Sequence, residues 1–395
     1  MTGHRITLLG SHDRELRDWL YGDPNSHERG AIVLFRRLAR KVDGQQPSDR
    51  YLVVEIIKMS GDWILESSST HIKINLRKFP ELYFRCETEG LELGFAHSHP
   101  HKHVDFSAQD TENEKNILHG LAGCNTDHSF LVTMLLADNK WHARIRQGID
   151  PNKILKVRHI CVVSDKMEIH GISIPHESVE SLKRQETAFG KPFNAKLQSL
   201  RAVVVGVGGT GSPLATLLAR AGVGELILID GDFLEETNMN RVRGYCSKDI
   251  NKNKAQSLAN YISSIRPDIS VSAFATFLNE SDEAIDALSS ADVIFGCTDD
   301  QAGRNIMNQA MYYHAQVFID VGLTGKIDFD SDGDPYLRDH RGRISCILPE
   351  YGSCLRCQRV VTEQKLKYEQ AIKDNPSLAK LDAVLVQREL EFSSV

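Results

Sequence analysis

The chain has 395 residues, of which 41% are hydrophobic and 25% charged, with a formal net charge of −6; this is the make-up of a globular protein of two or three domains. No lysine- or arginine-rich block occurs, which argues against nucleic acid or an anionic membrane as the main partner, and no apolar run approaches a signal peptide or a membrane span. Eight cysteines scattered over so long a chain do not suggest a disulfide framework, so a reducing cytoplasm is the expected setting.

In chain order, "LRDWLYGDPNS" reads as a helix that ends in a turn, and "HERGAIVLFRR" and "YLVVEIIKM" read as strands. "NLRKFPELYFRCETEG" is amphipathic and helix-like, and "LELGFAHSHP" is a strand that runs into a histidine-rich stretch. A mixed α/β domain over residues 1–150 follows. His97 and His99 alternate, so on an extended segment both point to one face. Pro100 then redirects the chain, and Asp110 lies eleven residues past His99. Two imidazoles and one carboxylate make three protein ligands for zinc and leave a fourth position for water, which is the catalytic count. A bound zinc brings the pKa of that water towards neutrality, and a carboxylate is still needed to move its proton.

This arrangement resembles the JAMM (JAB/MPN) zinc metalloprotease family, whose motif of His-x-His, seven residues and Ser-x-x-Asp is matched by His97, His99, Ser107 and Asp110. The resemblance implies that His97, His99 and Asp110 bind zinc, that Ser107 stabilises the tetrahedral oxyanion, and that an upstream glutamate at the start of a strand is the general base. "HERGAIVL" puts Glu28 in that position; Glu55, inside "YLVVEIIKM", is the rival. His101 and His103 fall outside the motif and read as loop surface or substrate rim.

The periodic pattern breaks between about Gly148 and Glu177, with turn residues at Asp150-Pro151-Asn152 and Pro175, so residues 151–177 are expected to form a linker and 178–395 a second domain. There, "LRAVVVGVGGTGSPLATLLARAGVGELILIDGD" reads as strand, glycine turn, helix, strand. Gly206, Gly208, Gly209 and Gly211 allow close approach of backbone to phosphate, Ser212 is a candidate helix cap, and Gly222 a helix end. Asp230 stands at a strand end, where a ribose-binding carboxylate belongs in a doubly wound sheet. This fingerprint alone fits a nicotinamide dehydrogenase as well as a nucleotidyl transferase. Asn238, Arg241 and Lys254, followed by Thr298-Asp299 at the end of another strand, favour attack on the α-phosphate of ATP with magnesium.

From about Ser181 to Cys357 the chain resembles the ThiF/MoeB/HesA family, the adenylating domain of ubiquitin-activating enzymes. The resemblance rests on the glycine turn, "DGDFLEETNMNR", the lysine beyond it, Thr298-Asp299, and "KRQETAFG" as the upstream Arg-Gln segment. It implies a Rossmann-like fold, with Asp230 on ribose, Asn238, Arg241 and Lys254 on phosphates, and Asp299 on magnesium. It also implies a homodimer in which Arg184 reaches the partner's ATP. Two departures stand out. Cys354 and Cys357 in "YGSCLRCQ" are half of the family's four-cysteine zinc site, and no cysteine matches the thioester position, Cys246 being the thiol nearest the expected ATP residues. The tail from Thr362 reads as charged helix and lacks the family's glycine-containing segment, as a shortened or diverged C-terminus would. The two resemblances together imply a bifunctional enzyme. One domain would hydrolyse a peptide or isopeptide bond after a C-terminal glycine, and the other would adenylate that glycine on a ubiquitin-like protein or sulfur carrier. A conjugating enzyme or a sulfurtransferase would then be a further partner. The alternatives are activation of a sulfur carrier for cofactor or cysteine synthesis without conjugation, an NAD-binding oxidoreductase, and a scaffold with dead sites.

Overall fold

The computed structural model describes residues 3–23, 27–39, 48–100, 103–175, 177 and 179–375. The first region runs β1 (His4–Leu9), α1 (Gly10–Leu20), β2 (Gly30–Leu38), β3 (Arg50–Lys58), β4 (Ile64–Ser67), β5 (Ile72–Ile74), α2 (Phe79–Glu89), β6 (Glu92–His99) and α3 (Ala108–Cys124). It continues through β7 (Phe130–Ala137), β8 (Lys140–Gln147), β9 (Asp150–Leu155), β10 (Val157–Val163) and β11 (Met167–His170). The strands β4 and β5 form a separate two-stranded ribbon, and the others make one mixed sheet ordered β11-β10-β1-β3-β2-β6-β7-β8-β9.

The strand β2 shows why the sheet is covered on both sides. It is buried without a break from Gly30 to Phe35, as a strand with apolar residues on both faces must be. Alternation sends Ala31, Val33 and Phe35 into a core with Leu16 and Leu20 of α1 and with Trp141. Ile32 and Leu34 turn the other way, to Phe79 and Leu82 of α2 and Ile117 and Leu118 of α3. Each buried Val, Leu, Ile or Phe of this set contributes on the order of 1.5–3 kcal/mol.

The segment 151–177, expected as a linker, instead carries β9, β10 and β11 of this first sheet. The Asp150-Pro151-Asn152 signal belongs to the β8–β9 hairpin, where Arg146 donates to the carbonyls of Pro151 and Asn152. The strand β10 then lies parallel to β1, so the end of the region is tied to its beginning.

The second region runs α4 (Lys183–Phe189), α5 (Lys191–Ser199), β12 (Arg201–Val205), α6 (Gly211–Ala221), β13 (Glu225–Ile229), α7 (Lys254–Ile265) and β14 (Ser270–Phe274). It ends with α8 (Asp282–Ser289), β15 (Val293–Gly296), α9 (Gln301–Tyr313), β16 (Val317–Phe329), β17 (Pro335–Ile347) and α10 (Glu363–Asp374). The sheet order is β14-β13-β12-β15-β16-β17, parallel except for β17. Ala202 and Val204 face Ala215, Ala219, Leu258 and Ile262 of α6 and α7. Val203 and Val205 face Leu288, Met307 and Met311 of α8 and α9. This is the doubly wound, Rossmann-like sheet expected. Its order reverses between β12 and β15, which opens a crevice beyond the strand ends there. Of the tail read as charged helix, α10 forms, and the residues after 375 lie outside the described ones.

A buried polar network joins the two regions. Asp292 is 1% exposed; it accepts from the Arg201 backbone N–H at 2.8 Å and lies 3.2 Å from His159 Nε2 and 3.5 Å from Arg5 Nε. Arg5 and Arg201 share Glu225, at 3.0 and 2.8 Å. Arg50 donates to the carbonyls of Ser289 and Ala315. Alongside, Cys161 and Val163 pack on Val293 and Val317, and Glu350 accepts from the Ser11 N–H at the start of α1. Buried charges persist only where partners compensate their lost hydration, so these contacts are a constructed interface.

The interface carries an acid sensitivity. Burial, with Arg50 and Arg36 adding to it, pushes His314 down to about 4. Burial likewise lowers His159 against the pull of Asp292. A histidine held neutral in the folded chain binds its proton more readily once unfolded. Its stabilising share is therefore complete above the ordinary value of 6.5 and is lost as pH falls towards about 4. The urea midpoint is expected to fall across that interval at constant ionic strength; an unchanged midpoint would contradict the linkage.

Candidate functional site

The first site gathers where β6 ends. Residues Gly94 to His99 of β6 are buried, and the period-2 geometry sets His97 and His99 on one face, with ring centroids 5.1 Å apart. The helix α3 supplies the third group through its own cap. Ser107 Oγ accepts from the Asp110 N–H at 3.1 Å, and Asp110 Oδ2 accepts from the Ser107 N–H at 2.7 Å, a reciprocal capping box. The box leaves the Ser107 hydroxyl proton available to donate. His97 Nε2 lies 3.1 Å from Asp110 Oδ1, and His99 Nε2 lies 3.3 Å from Asp110 Oδ2.

These residues fit a zinc ion. His97, His99 and Asp110 are all buried, and one ligand atom from each lies within 4.8 Å of the others. Tetrahedral zinc with bonds of about 2.0–2.1 Å sets its ligand atoms roughly 3.3 Å apart. His97 Nε2 is buried without a hydrogen bond in spite of its nearness to Asp110, as befits a ligand nitrogen. His99 Nδ1 donates to the His103 carbonyl at 2.8 Å, which fixes the tautomer and frees Nε2. His103 is exposed and its backbone carbonyl orients the His99 ring, while His101 lies outside the described residues. Burial works to raise the Asp110 carboxyl, but His97, His99 and the Ser107 N–H outweigh it and hold the group well below the carboxylate range.

Glu28 sits two residues before β2, 3% exposed, with Oε1 3.7 Å from His99 Nε2 and Oε2 without a hydrogen bond. Burial raises its carboxyl above the ordinary value, against the opposing pull of His97 and His99. That is the direction a proton-shuttling carboxylate needs. Glu55 is not brought to the site. It is held by Arg85 at 2.9 and 2.6 Å, and that hydrogen bonding lowers its carboxyl.

The second site lies at the β12–β15 crevice. Gly206 has φ 82°, and a Cβ there would stand 2.8 Å from the Cys297 backbone; a Cβ on Gly211 would stand 1.8 Å from the Gly206 carbonyl oxygen. These two glycines are needed to seat the loop and α6 against β15. A Cβ on Gly208 would meet nothing within 4 Å, so this is the open side of the loop, and Gly209 lies under the Arg241 side chain. Asp230 accepts from the backbone N–H groups of Val207 (2.7 Å) and Asp232 (2.9 Å), and its burial raises the carboxyl in spite of them. Lys254 pairs with Asp232 at 2.9 Å. Asn238 accepts from the Glu235 N–H, and Arg241 donates to the Thr237 carbonyl. Asp299 follows β15 and is exposed, with Arg304 donating to its carbonyl.

Ser212 is not the cap of α6. It lies inside the first turn, where its hydroxyl donates to the Gly208 carbonyl and accepts from the Arg243 N–H, and Thr210 precedes the helix. Gly222 does end α6, at φ 99°. Arg184 is exposed on α4, and among the described residues it makes no hydrogen bond to the crevice residues. Cys354 and Cys357 have Sγ atoms 3.6 Å apart, and among the described residues His97, His99 and Asp110 are the one group of three or more ligand-type side chains close enough for a metal. Cys246 is exposed, and its hydrogen bond to Asp249 raises the thiol. Sequence reasoning missed Asp232 as the partner of Lys254, although its place two residues after Asp230 was a signal. It also missed Arg304, which had none.

No helix among the described residues is long and apolar enough to cross a membrane. The SAMP-activating enzyme E1 of Haloferax volcanii is 29% identical over 168 residues, 42% of this chain and 56% of that protein. The sulfur carrier protein ThiS adenylyltransferase of Escherichia coli is 37% identical over 116 residues, 29% of this chain and 45% of that protein. The adenylyltransferase and sulfurtransferase UBA4 of Yarrowia lipolytica is 35% identical over 169 residues, 43% of this chain and 39% of that protein. The chain therefore spans about two fifths to just over half of the length of these relatives. The solved structure of E. coli MccB with ATP aligns with a TM-score of 0.38 at 25% identity, covering 50% of this chain and 57% of that one. The model of the ThiF family matches residues 182–379, half of the chain and the whole of the glycine-loop crevice; the chain belongs to the ThiF family.

Proposed function

We propose that this chain processes and activates a ubiquitin-like protein or sulfur carrier: the first region trims it by zinc-dependent hydrolysis, and the second adenylates the C-terminal glycine so exposed. The observation that carries this reading is the buried His97–His99–Asp110 triad with Glu28 beside it, in a chain whose other half belongs to the ThiF family. The names of the relatives support the second step, since they describe enzymes that act on SAMP or ThiS carriers. Zinc, when bound, supplies Lewis acidity that brings a water's pKa near neutrality. Glu28 takes the proton from that nucleophile and passes it to the leaving amine. Ser107 donates its hydroxyl proton to the oxyanion. In the crevice, Asp230 would hold ribose, Asn238, Arg241 and Lys254 would hold phosphates, and Asp299 would hold magnesium, which would neutralise charge on the triphosphate. The direct test incubates the protein with carriers that extend beyond a Gly-Gly end, with and without ATP, and reads their masses. Loss of the extension without ATP, and an adenylate only with it, are expected. Intact carriers in both arms would sink the reading.

Arg241 extends over Gly209, beside the open side of the loop. Arg241→Ala is accordingly expected to lower carrier-dependent exchange of pyrophosphate into ATP by about 10²–10³-fold, as for other donors to developing charge. Unchanged exchange would refute its role on the phosphates. Arg184 is exposed and, among the described residues, makes no hydrogen bond to its own crevice, which leaves it free to serve the crevice of a partner copy in a homodimer. Arg184→Ala and Asp299→Ala proteins are each expected to be inactive, and their mixture to regain part of the exchange. A monomer with full exchange would rule this out.

Neither Cys297 nor Cys246 favours capture of the adenylate as a thioester. Cys297 is half-buried beside the glycine loop, where desolvation pushes its thiol up to about 12, and Cys246 is raised by its hydrogen bond to Asp249, so neither is a ready thiolate. A carrier bond to the enzyme that hydroxylamine cleaves would decide for the thioester.

A further inference from the structure

We infer that the β4–β5 ribbon is a clamp that sets the general base against the metal ligands, with Ser67 and Asn113 as its two positioning residues; this rests on the hydrolase reading of the first region. Glu28 lies outside any strand, two residues before β2, yet both of its backbone polar groups are tied to the ribbon. Its N–H donates to the Ser68 carbonyl at 2.7 Å, and the Ser67 hydroxyl donates to its carbonyl at 2.7 Å. The next residue is held from the other side. Arg29 N–H donates to Ser98 Oγ, and Ser98 N–H donates to the Arg29 carbonyl, both at 3.2 Å, and Ser98 stands between His97 and His99. Residues 28 and 29 therefore bridge the ribbon and the ligand strand β6.

The far end of the ribbon closes the circuit. Asn113 is 4% exposed and donates from Nδ2 to the Ile72 carbonyl at 2.9 Å. It lies one helical turn after Asp110 on α3, on the same face. Ile72 and Ile74 are buried in the core that α2 and α3 share, so the ribbon is packed down by apolar contact as well. One small element thus touches the base through Ser67 and Ser68 and the helix of the third ligand through Ile72. The Glu28 carboxyl has no hydrogen bond on Oε2, and Oε1 stands 3.7 Å from His99 Nε2, so the backbone ties help to set its aim. The hydrogen bonds of Ser67 and Asn113 run to the backbone of Glu28 and Ile72, and neither residue is among the group His97, His99 and Asp110.

The test compares Ser67→Ala, Asn113→Ala and Ser67→Thr with the wild-type full chain. The readouts are zinc content, amide hydrogen exchange at Glu28 in the zinc-loaded chain, and hydrolysis of a peptide ending in Gly-Gly on a fluorogenic amine. Both alanine variants should keep one zinc and the wild-type KM, expose the Glu28 amide to faster exchange, and lose about 10- to 100-fold in kcat, as sub-ångström misplacement of a catalytic group does. Ser67→Thr, which keeps the hydroxyl, should restore both exchange protection and kcat. A purely structural role would move stability without this rescue and without separating kcat from KM. If wild-type chain takes up no zinc or leaves the peptide intact, the hydrolase reading falls and the clamp with it. If wild type binds zinc and cleaves while the alanine variants match it in exchange and kcat, the clamp alone falls.

Discussion

Asp292→Ala is expected to destabilise the chain by about 3–5 kcal/mol, the range found when one partner of a buried ion pair is removed. The loss exceeds that of an ordinary hydrogen bond because Asp292 is a hub. It accepts the Arg201 backbone N–H and faces His159 and Arg5, and removing it leaves these groups buried without their acceptor. Burial alone would raise its carboxyl, but His159, Arg5 and Arg50 hold it well below the carboxylate range, so the charged form is the stabilising one at neutral pH. Asp292→Asn retains an acceptor for Arg201 and should cost less. Urea unfolding followed by tryptophan fluorescence measures both. A midpoint within error of wild type for the alanine variant would show that the network adds nothing. Because Asp292 bonds to residues of both regions, the two should also lose stability together, which probes of Trp141 and of the β12 sheet can separate.

The parts that were legible in the sequence are those where chemistry and period coincide. His97, His99 and Asp110 could be read because alternation on a strand and the Ser107 cap leave a fixed spacing. The crevice could be read because Val203 to Val205, the glycine loop and the Asp230 strand end follow one another without interruption. The linker was misjudged because Asp150-Pro151-Asn152 signals a turn equally well inside a hairpin and between domains, and only the pairing of β10 with β1 decides which. The interface was hidden for a different reason. Arg50 reaches the Ser289 carbonyl 239 residues away, and no local pattern marks an arginine as buried. Ser67 and Asn113 were hidden likewise, since a serine in a ribbon and an asparagine in a helix read as surface until their partners are known. Ser212 shows the converse error: a good capping residue near a helix start lies two residues past the cap position, its hydroxyl turned to the Gly208 carbonyl.

Glu28→Gln separates the proposed base from the proposed zinc ligands at the first site. The substitution keeps shape and removes the proton acceptor, so one zinc per chain should remain while hydrolysis falls by about 10²–10⁴-fold, the usual share of general acid–base catalysis. The geometry supports retention of the metal: Oε1 stands 3.7 Å from His99 Nε2, farther than either His–Asp110 contact, and Glu28 is outside the group of three whose ligand atoms gather. His97→Ala should behave in the opposite order, losing the metal first and activity as a consequence, because it would remove one of the three proposed ligands found among the described residues. Zinc analysis after gel filtration distinguishes the two without any substrate. A Glu28→Gln protein that arrives without zinc would make Glu28 a fourth ligand, closing the position a water must occupy and turning the site from a catalytic into a structural one. A His97→Ala protein that keeps its zinc would remove the triad from consideration altogether. Adenylation should be unaffected by either change, since the residues proposed for it lie at the β12–β15 crevice of the other sheet. Pyrophosphate exchange by the two variants at the wild-type rate is therefore the control that assigns each activity to its own region.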